Sequence, residues 1–146
     1  MTTTIKLITF NSNDYHKAFK FRNDLLRKPL GLDLSDDDLS NEINNYHFGT
    51  FENEEIIACL VGTEKDKTTM KIRQMAVSEK YQSRGLGKQM MIYAETFFIN
   101  KGFKQFELNA REHAIPFYEK LGYHSVGDIF MEVTIKHVKM FKVYDN

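Results

Sequence analysis

The sequence holds one cysteine, two prolines, no tryptophan and no excess of either charge. Cys59 alone cannot close an internal disulfide, and no Cys or His spacing resembles a zinc site, so no metal is expected. It lies in the apolar run 56–61, where a free cysteine reads as core filling. Lys plus Arg and Asp plus Glu both number 20, a formal net charge of zero, which argues against a general nucleic-acid binder. No apolar run approaches the roughly 20 residues that a membrane-spanning helix needs. Residues 1–6 lack the basic and apolar segments of a signal peptide. No internal repeat, low-complexity segment or Pro/Gly-rich linker divides the chain. The expectation is one cytoplasmic domain over 1–146 that binds neither nucleic acid nor membrane.

What is present is the composition of an ordinary globular domain, 42% hydrophobic and 27% charged over 146 residues. Residues 3–10 alternate as a first strand. Ser12 or Asn13 can cap a helix whose apolar positions Tyr15, Ala18, Phe19, Leu25 and Leu26 have helical spacing. Arg22 falls on that stripe, as a buried ion-pair partner or a group facing a cleft. Pro29 and Gly31 end the helix, and Ser35 before three aspartates looks like another helix cap.

Residues 46–52, 55–63 and 70–78 read as an antiparallel meander joined by short polar turns. From Leu86 the period changes to helical through Met90, Tyr93, Ala94, Phe97 and Phe98, up to Gly102. Residues 103–108 form a strand, Ala114, Phe117, Tyr118 and Leu121 a short helix, and 129–142 one or two final strands. A meander followed by a strand-helix-strand crossover implies an α/β (α+β) fold with a mixed, mostly antiparallel sheet flanked by helices.

The stretch between the third meander strand and its helix carries the chemistry: Gln82-Ser83-Arg84-Gly85-Leu86-Gly87-Lys88. Amides at a helix start have no partner within the helix, so glycines there with Lys80, Arg84 and Lys88 nearby suit a phosphate or pyrophosphate. A Walker A loop fails, because Gln89 follows Gly87-Lys88 and Gln82 stands where the earlier glycine belongs. A dinucleotide fingerprint fails because Met90 replaces the third glycine.

The loop does match Gln/Arg-x-x-Gly-x-Gly/Ala, and so resembles the acetyl-CoA pyrophosphate loop of the GNAT superfamily of N-acetyltransferases. A second stretch, Ala114 with Phe117-Tyr118 and Lys120-Leu121-Gly122-Tyr123, resembles that family's second signature. The resemblance covers residues 3–142. The tail (Phe130, Glu132, Ile135, His137, Met140) and Leu26-Arg27-Lys28-Pro29-Leu30-Gly31 resemble a subgroup of small acetyltransferases. One departure is Arg111, where many members carry an asparagine that contacts the cofactor arm. Asn109 stands two residues earlier as a substitute.

The resemblance implies direct transfer of an acetyl group from acetyl-CoA to an amine. Backbone groups of Met75, Ala76 and Val77 would hold the pantetheine arm, a strand amide near Met75 or Val77 would face the oxyanion, and Gln82 to Lys88 would hold the pyrophosphate. Asn109, Phe117 and Tyr118 would complete the cofactor side, with Tyr118 as general acid. Glu132 and His137 are the candidates for the base, each with an ordinary structural role as the alternative. Arg22 and Arg27 are candidates for the acceptor side, where a basic lining would favour an acceptor carrying a carboxylate as well as an amine. The acidic run 33–38 would instead attract a cationic amine, unless it only caps a helix. A homodimer paired through the last strands is implied by the resemblance alone. The rival reading is a non-catalytic module that binds acyl-CoA as a sensor.

Overall fold

The computed structural model describes residues 2–145; Met1 and Asn146, the two ends of the expected domain, lie outside the described residues. Strand β1 (Thr4–Ile8) leads to helix α1 (Asn13–Leu26). Ser12 caps α1, its hydroxyl accepting from the Tyr15 amide at 3.1 Å, and Asp14 sits in the first turn where the helix dipole favours an acid. The face that α1 buries carries Tyr15, Ala18 and Arg22.

The acidic stretch that follows departs from the expected capped helix. Asp33, not Ser35, is the cap, accepting from the Ser35 amide at 2.9 Å, and only single 3-10 turns form at Leu34–Asp36 and Glu42–Asn44. Asp33 and Asp38 each turn back onto the serine two residues on, and such local bonds compete with helical ones.

Strands β2 (Tyr46–Glu52), β3 (Glu55–Glu64) and β4 (Thr69–Val77) form the meander. Helix α2 (Leu86–Asn100) then crosses to β5 (Gln105–Arg111). A short helix α3 (Ile115–Lys120) precedes the hairpin of β6 (His124–Glu132) and β7 (Ile135–Val143). The sheet order is β1-β2-β3-β4-β5-β7-β6, and every neighbouring pair is antiparallel except β4–β5. The tail is therefore two strands, and the last one inserts between β5 and β6. Val133, expected within a strand, is instead in the hairpin turn with Thr134, at φ 44° and 68°.

Helices cover both faces of the sheet. Met90, Met91, Ala94 and Phe98 of α2 pack on Phe48, Leu60, Met70 and Phe106. Tyr15 and Ala18 of α1 pack with Ile8, Phe51, Cys59 and Ala76 on the other face. Cys59 is buried there, as core filling should be.

One local irregularity opens the molecule. β4 and β5 pair only over Thr69–Ile72 and Gln105–Leu108, with Thr69 opposite Gln105 and Ile72 opposite Leu108. Just beyond, Gln74 adopts a left-handed φ of 50°, and the β3–β4 register slips between Cys59 and Val61. An extra residue of this kind bends a strand and ends regular pairing. Past it β4 and β5 diverge, leaving a cleft between them. Gln74 is held from below: Arg22 Nη1 donates to its side-chain oxygen at 2.7 Å, and the Cys59 thiol donates to its carbonyl at 3.4 Å.

Candidate active site

The cleft encloses about 1340 Å³ and runs from the β4–α2 loop to the end of α1 and the β6–β7 turn. At the loop end a single 3-10 turn, Glu79–Tyr81, is anchored by buried Tyr81, whose hydroxyl donates to Glu52 at 3.0 Å. Gln82 Nε2 donates to the Val77 carbonyl at 3.1 Å, so this side chain braces the loop against β4. Ser83 and Gly85 then take left-handed φ values of 67° and 76°. Gly85 is the N-cap of α2, and no side chain accepts from the first-turn amides. Those amides carry partial positive charge and open onto the cleft, the arrangement that binds phosphate oxygens. Gly87 has a second reason to lack a side chain, because a Cβ there would lie 3.1 Å from the Phe117 ring and 3.4 Å from the Met75 methyl.

Along the middle, β4 residues 73–77 have no ladder pair with β5, which leaves backbone groups of Met75, Ala76 and Val77 beside the cleft. Asn109 faces them from β5. Its Nδ2 donates to Glu132 Oε1 at 3.2 Å, while its Oδ1 is buried with no partner among the described residues. An orphaned acceptor costs free energy unless a ligand donor meets it. A length of amide-bearing chain ending in phosphates therefore fits this groove, and coenzyme A is such a molecule.

Tyr118 and Phe117 stand on α3 at the cleft's inner end, their rings T-shaped at 5.0 Å. Tyr118 is 8% exposed, and burial pushes its phenol up to about 12, against a lowering by the Arg111 charge. No hydrogen bond engages its hydroxyl among the described residues. Across from it β6 and β7 bring Glu132 and His137 together, with Nε2 of His137 3.7 Å from the Glu132 carboxylate. His137 is buried, stacked on Phe130, and its Nδ1 lies 3.0 Å from the Ile135 carbonyl. A carbonyl only accepts, so Nδ1 carries the proton and Nε2 is the nitrogen presented to Glu132.

Two expected site residues are placed differently. Arg22 is 1% exposed and away from the cleft wall. It donates through both terminal nitrogens to Glu42, at 2.7 and 3.3 Å, and Glu42 also accepts from Tyr15 at 2.7 Å. The reason is the stripe itself: position 22 points with Tyr15 and Ala18 into the core, where a guanidinium must be paired. Arg84 is the second. Its guanidinium lies over the Tyr81 ring at 5.3 Å, in a separate surface hollow with Glu52 and Lys80, while its neighbours Ser83 and Gly85 line the cleft. Arg27, by contrast, lines the cleft, is largely buried, and forms a two-point ion pair with Asp37 at 2.9 and 3.2 Å. Within the fold, the acidic run pairs Arg27 through Asp37 and closes local turns through Asp33 and Asp38.

Sequence reasoning missed Glu42, whose partner is twenty residues upstream, and the position of Arg111. Arg111 was visible only as a departure from the asparagine pattern; in the structure it forms part of the cleft wall, donating to the Leu26 carbonyl at 3.3 Å.

Comparison with known proteins agrees with this geometry. The family model for the acetyltransferase (GNAT) domain matches residues 22–144. Protein BSU40680 of Bacillus subtilis (strain 168), whose name places it provisionally among acetyltransferases, is 30% identical over 149 residues, covering 97% of each chain. A Lactobacillus plantarum crystal structure superposes with a TM-score of 0.87 at 19% identity, over 98% of this chain and 99% of that one. A GNAT-family acetyltransferase of Elizabethkingia anophelis, solved with acetyl-CoA bound, gives a TM-score of 0.73 at 20% identity over 97% of both chains.

Proposed function

The chain belongs to the GNAT acetyltransferases, and from that premise we propose that it transfers the acetyl group of acetyl-CoA directly to a primary amine of a small molecule or peptide. The observation that carries this is a single one: the uncapped, glycine-shaped start of α2 and the buried Tyr118 phenol lie on the wall of one continuous cleft, opened where β4 leaves β5.

Acetyl-CoA supplies an activated acetyl group as a thioester and leaves a thiolate that must be protonated or solvated. The α2 amides and Lys88 are the groups that would hold the diphosphate, and the unpaired edge of β4 with Asn109 would hold the arm. Tyr118 keeps its proton, because burial raises its phenol, and so offers a hydrogen-bond donor at the inner end. The pair Glu132–His137 lies where an amine would enter and is the candidate proton acceptor, with Asn109 orienting Glu132 and the Ile135 carbonyl orienting His137. Val126, Ile129 and Met131 are exposed on edge strand β6, and we propose that two copies pair along it.

The test is thermal unfolding with and without acetyl-CoA, together with a Gly85→Glu variant. Ligand at about 100 times its Kd should stabilise the fold by about 2.7 kcal/mol, a rise of several degrees at this size. The variant should lose the rise, since it puts a carboxylate and a side chain into a left-handed cap facing the phosphates. A folded parent that gains nothing at millimolar acetyl-CoA would refute the assignment.

A further inference from the structure

The acceptor end of the cleft holds two guanidiniums whose charges are only half compensated. Arg27 Nη1 and Arg111 Nη2 donate to the same oxygen, the carbonyl of Leu26, at 3.1 and 3.3 Å. Arg27 is neutralised by the two-point pair with Asp37. Arg111 has no carboxylate within ion-pair distance among the described residues, although it is partly buried. Burial and the neighbouring Arg27 both disfavour its charge, while Glu132 and Tyr118 favour it. Glu132 acts on it only through space: no ion pair or hydrogen bond joins the two among the described residues, and one Glu132 oxygen already accepts from Asn109. Asp24, the other acid at this end, is committed to Lys20 and Lys28 at 2.7 and 2.9 Å.

Two like charges are thus drawn to one carbonyl, in a cleft, beside the phenol that marks the reacting centre. Such an arrangement is stable in isolation only at a cost, and a bound anion removes it. A guanidinium presents paired N–H donors that match a carboxylate. We propose that Arg111, backed by Arg27, receives a carboxylate of the acceptor, so that the acceptor is an amino acid-like molecule carrying its amine and its acid together. This rests on the acetyltransferase reading and names the substrate class for that same site. Asparagine in that place would offer a polar group without charge, so the arginine is what would set acceptor choice in this chain.

The experiment pairs each of three amino acids with its decarboxylated amine: β-alanine with ethylamine, phenylalanine with 2-phenylethylamine, lysine with cadaverine. Acetyl transfer is read by thiol release and by the mass of the product, for the parent, Arg111→Gln and Arg111→Lys. Stabilisation by acetyl-CoA is measured on all three proteins. The expected result is a kcat/KM about tenfold or more higher for at least one amino acid than for its decarboxylated partner. That preference should collapse in Arg111→Gln through KM and be partly restored in Arg111→Lys, with the acetyl-CoA shift kept in both. Equal rates within every pair, or no acetylated amino acid from an enzyme that acetyl-CoA does stabilise, would overturn the proposal. So would loss of the acetyl-CoA shift in Arg111→Gln alone, which would move Arg111 to the cofactor side. A parent that acetyl-CoA does not stabilise fails at the earlier step, and this inference falls with the acetyltransferase assignment.

Discussion

At the scale of single residues, Tyr118 shows how environment makes a side chain useful. A phenol pushed up to about 12 by burial is protonated throughout the physiological range and donates rather than accepts. Replacing it by phenylalanine removes one hydroxyl and almost no volume. Tyr118→Phe is expected to lower kcat about 100-fold, the usual scale for a positioned acid, while the acetyl-CoA-induced thermal shift stays within a degree. Loss of the thermal shift would instead mark Tyr118 as a cofactor anchor. Because folded Tyr118 does not ionise below about pH 11, the rate should show no basic limb from this group up to pH 10. Gly85 and Gly87 illustrate a second residue-scale point: one is favoured by its left-handed φ and the other by the close approach of the Phe117 ring. The same pair of letters in the sequence answers two different constraints.

At the scale of elements, the cleft depends on how one strand is bent. Gln74 sits in a left-handed conformation that costs a non-glycine residue on the order of 1 kcal/mol or more. Arg22 grips its side chain, and Glu42 and Tyr15 hold Arg22 in turn. The Glu42 carboxyl is lowered, since the Arg22 and Tyr15 hydrogen bonds outweigh the raising effect of burial. Breaking a buried pair leaves an uncompensated charge, so Arg22→Met is expected to cost about 3 kcal/mol in chemical denaturation. It should also weaken acetyl-CoA binding by loosening the bulge. A variant as stable as the parent would show that the network neither supports the core nor fixes β4. The element that resisted sequence reading is the segment between α1 and β2. Its Asp and Ser letters fit a capped helix, but side chains of Asp33 and Asp38 satisfied the backbone locally and left only isolated turns.

At the scale of the whole molecule, the seven-stranded sheet has two edges, β1 and β6. β6 presents Ile129 and Met131 to solvent at 56% and 63% exposure, on the side away from Glu132. An exposed apolar edge strand is a site for pairing. Light scattering on the proposed homodimer is expected to give twice the chain mass, and Met131→Glu to shift it toward the single-chain mass without loss of fold. A single-chain mass for the parent at micromolar concentration would remove the dimer. No helix among the described residues is long and apolar enough to cross a membrane.

The order of strands and helices was readable in the sequence because periodicity of 2 or 3.6 is a local property, written in neighbouring letters. So was the glycine turn that starts α2, since glycines at a helix start act through their own backbone, and so was the short helix that carries Tyr118. Other features needed the tertiary structure because each depends on residues far apart in the chain. Arg22 and Arg27 look equivalent as letters on one helix. Only the fold gave the first to Glu42 in the core and the second to Asp37 on the cleft wall. Arg111 became an unpaired charge only when β5 brought it to the carbonyl that ends α1, 85 residues away. Charge is set by the residue; whether it is compensated is set by what the packed chain places within a few ångströms of it.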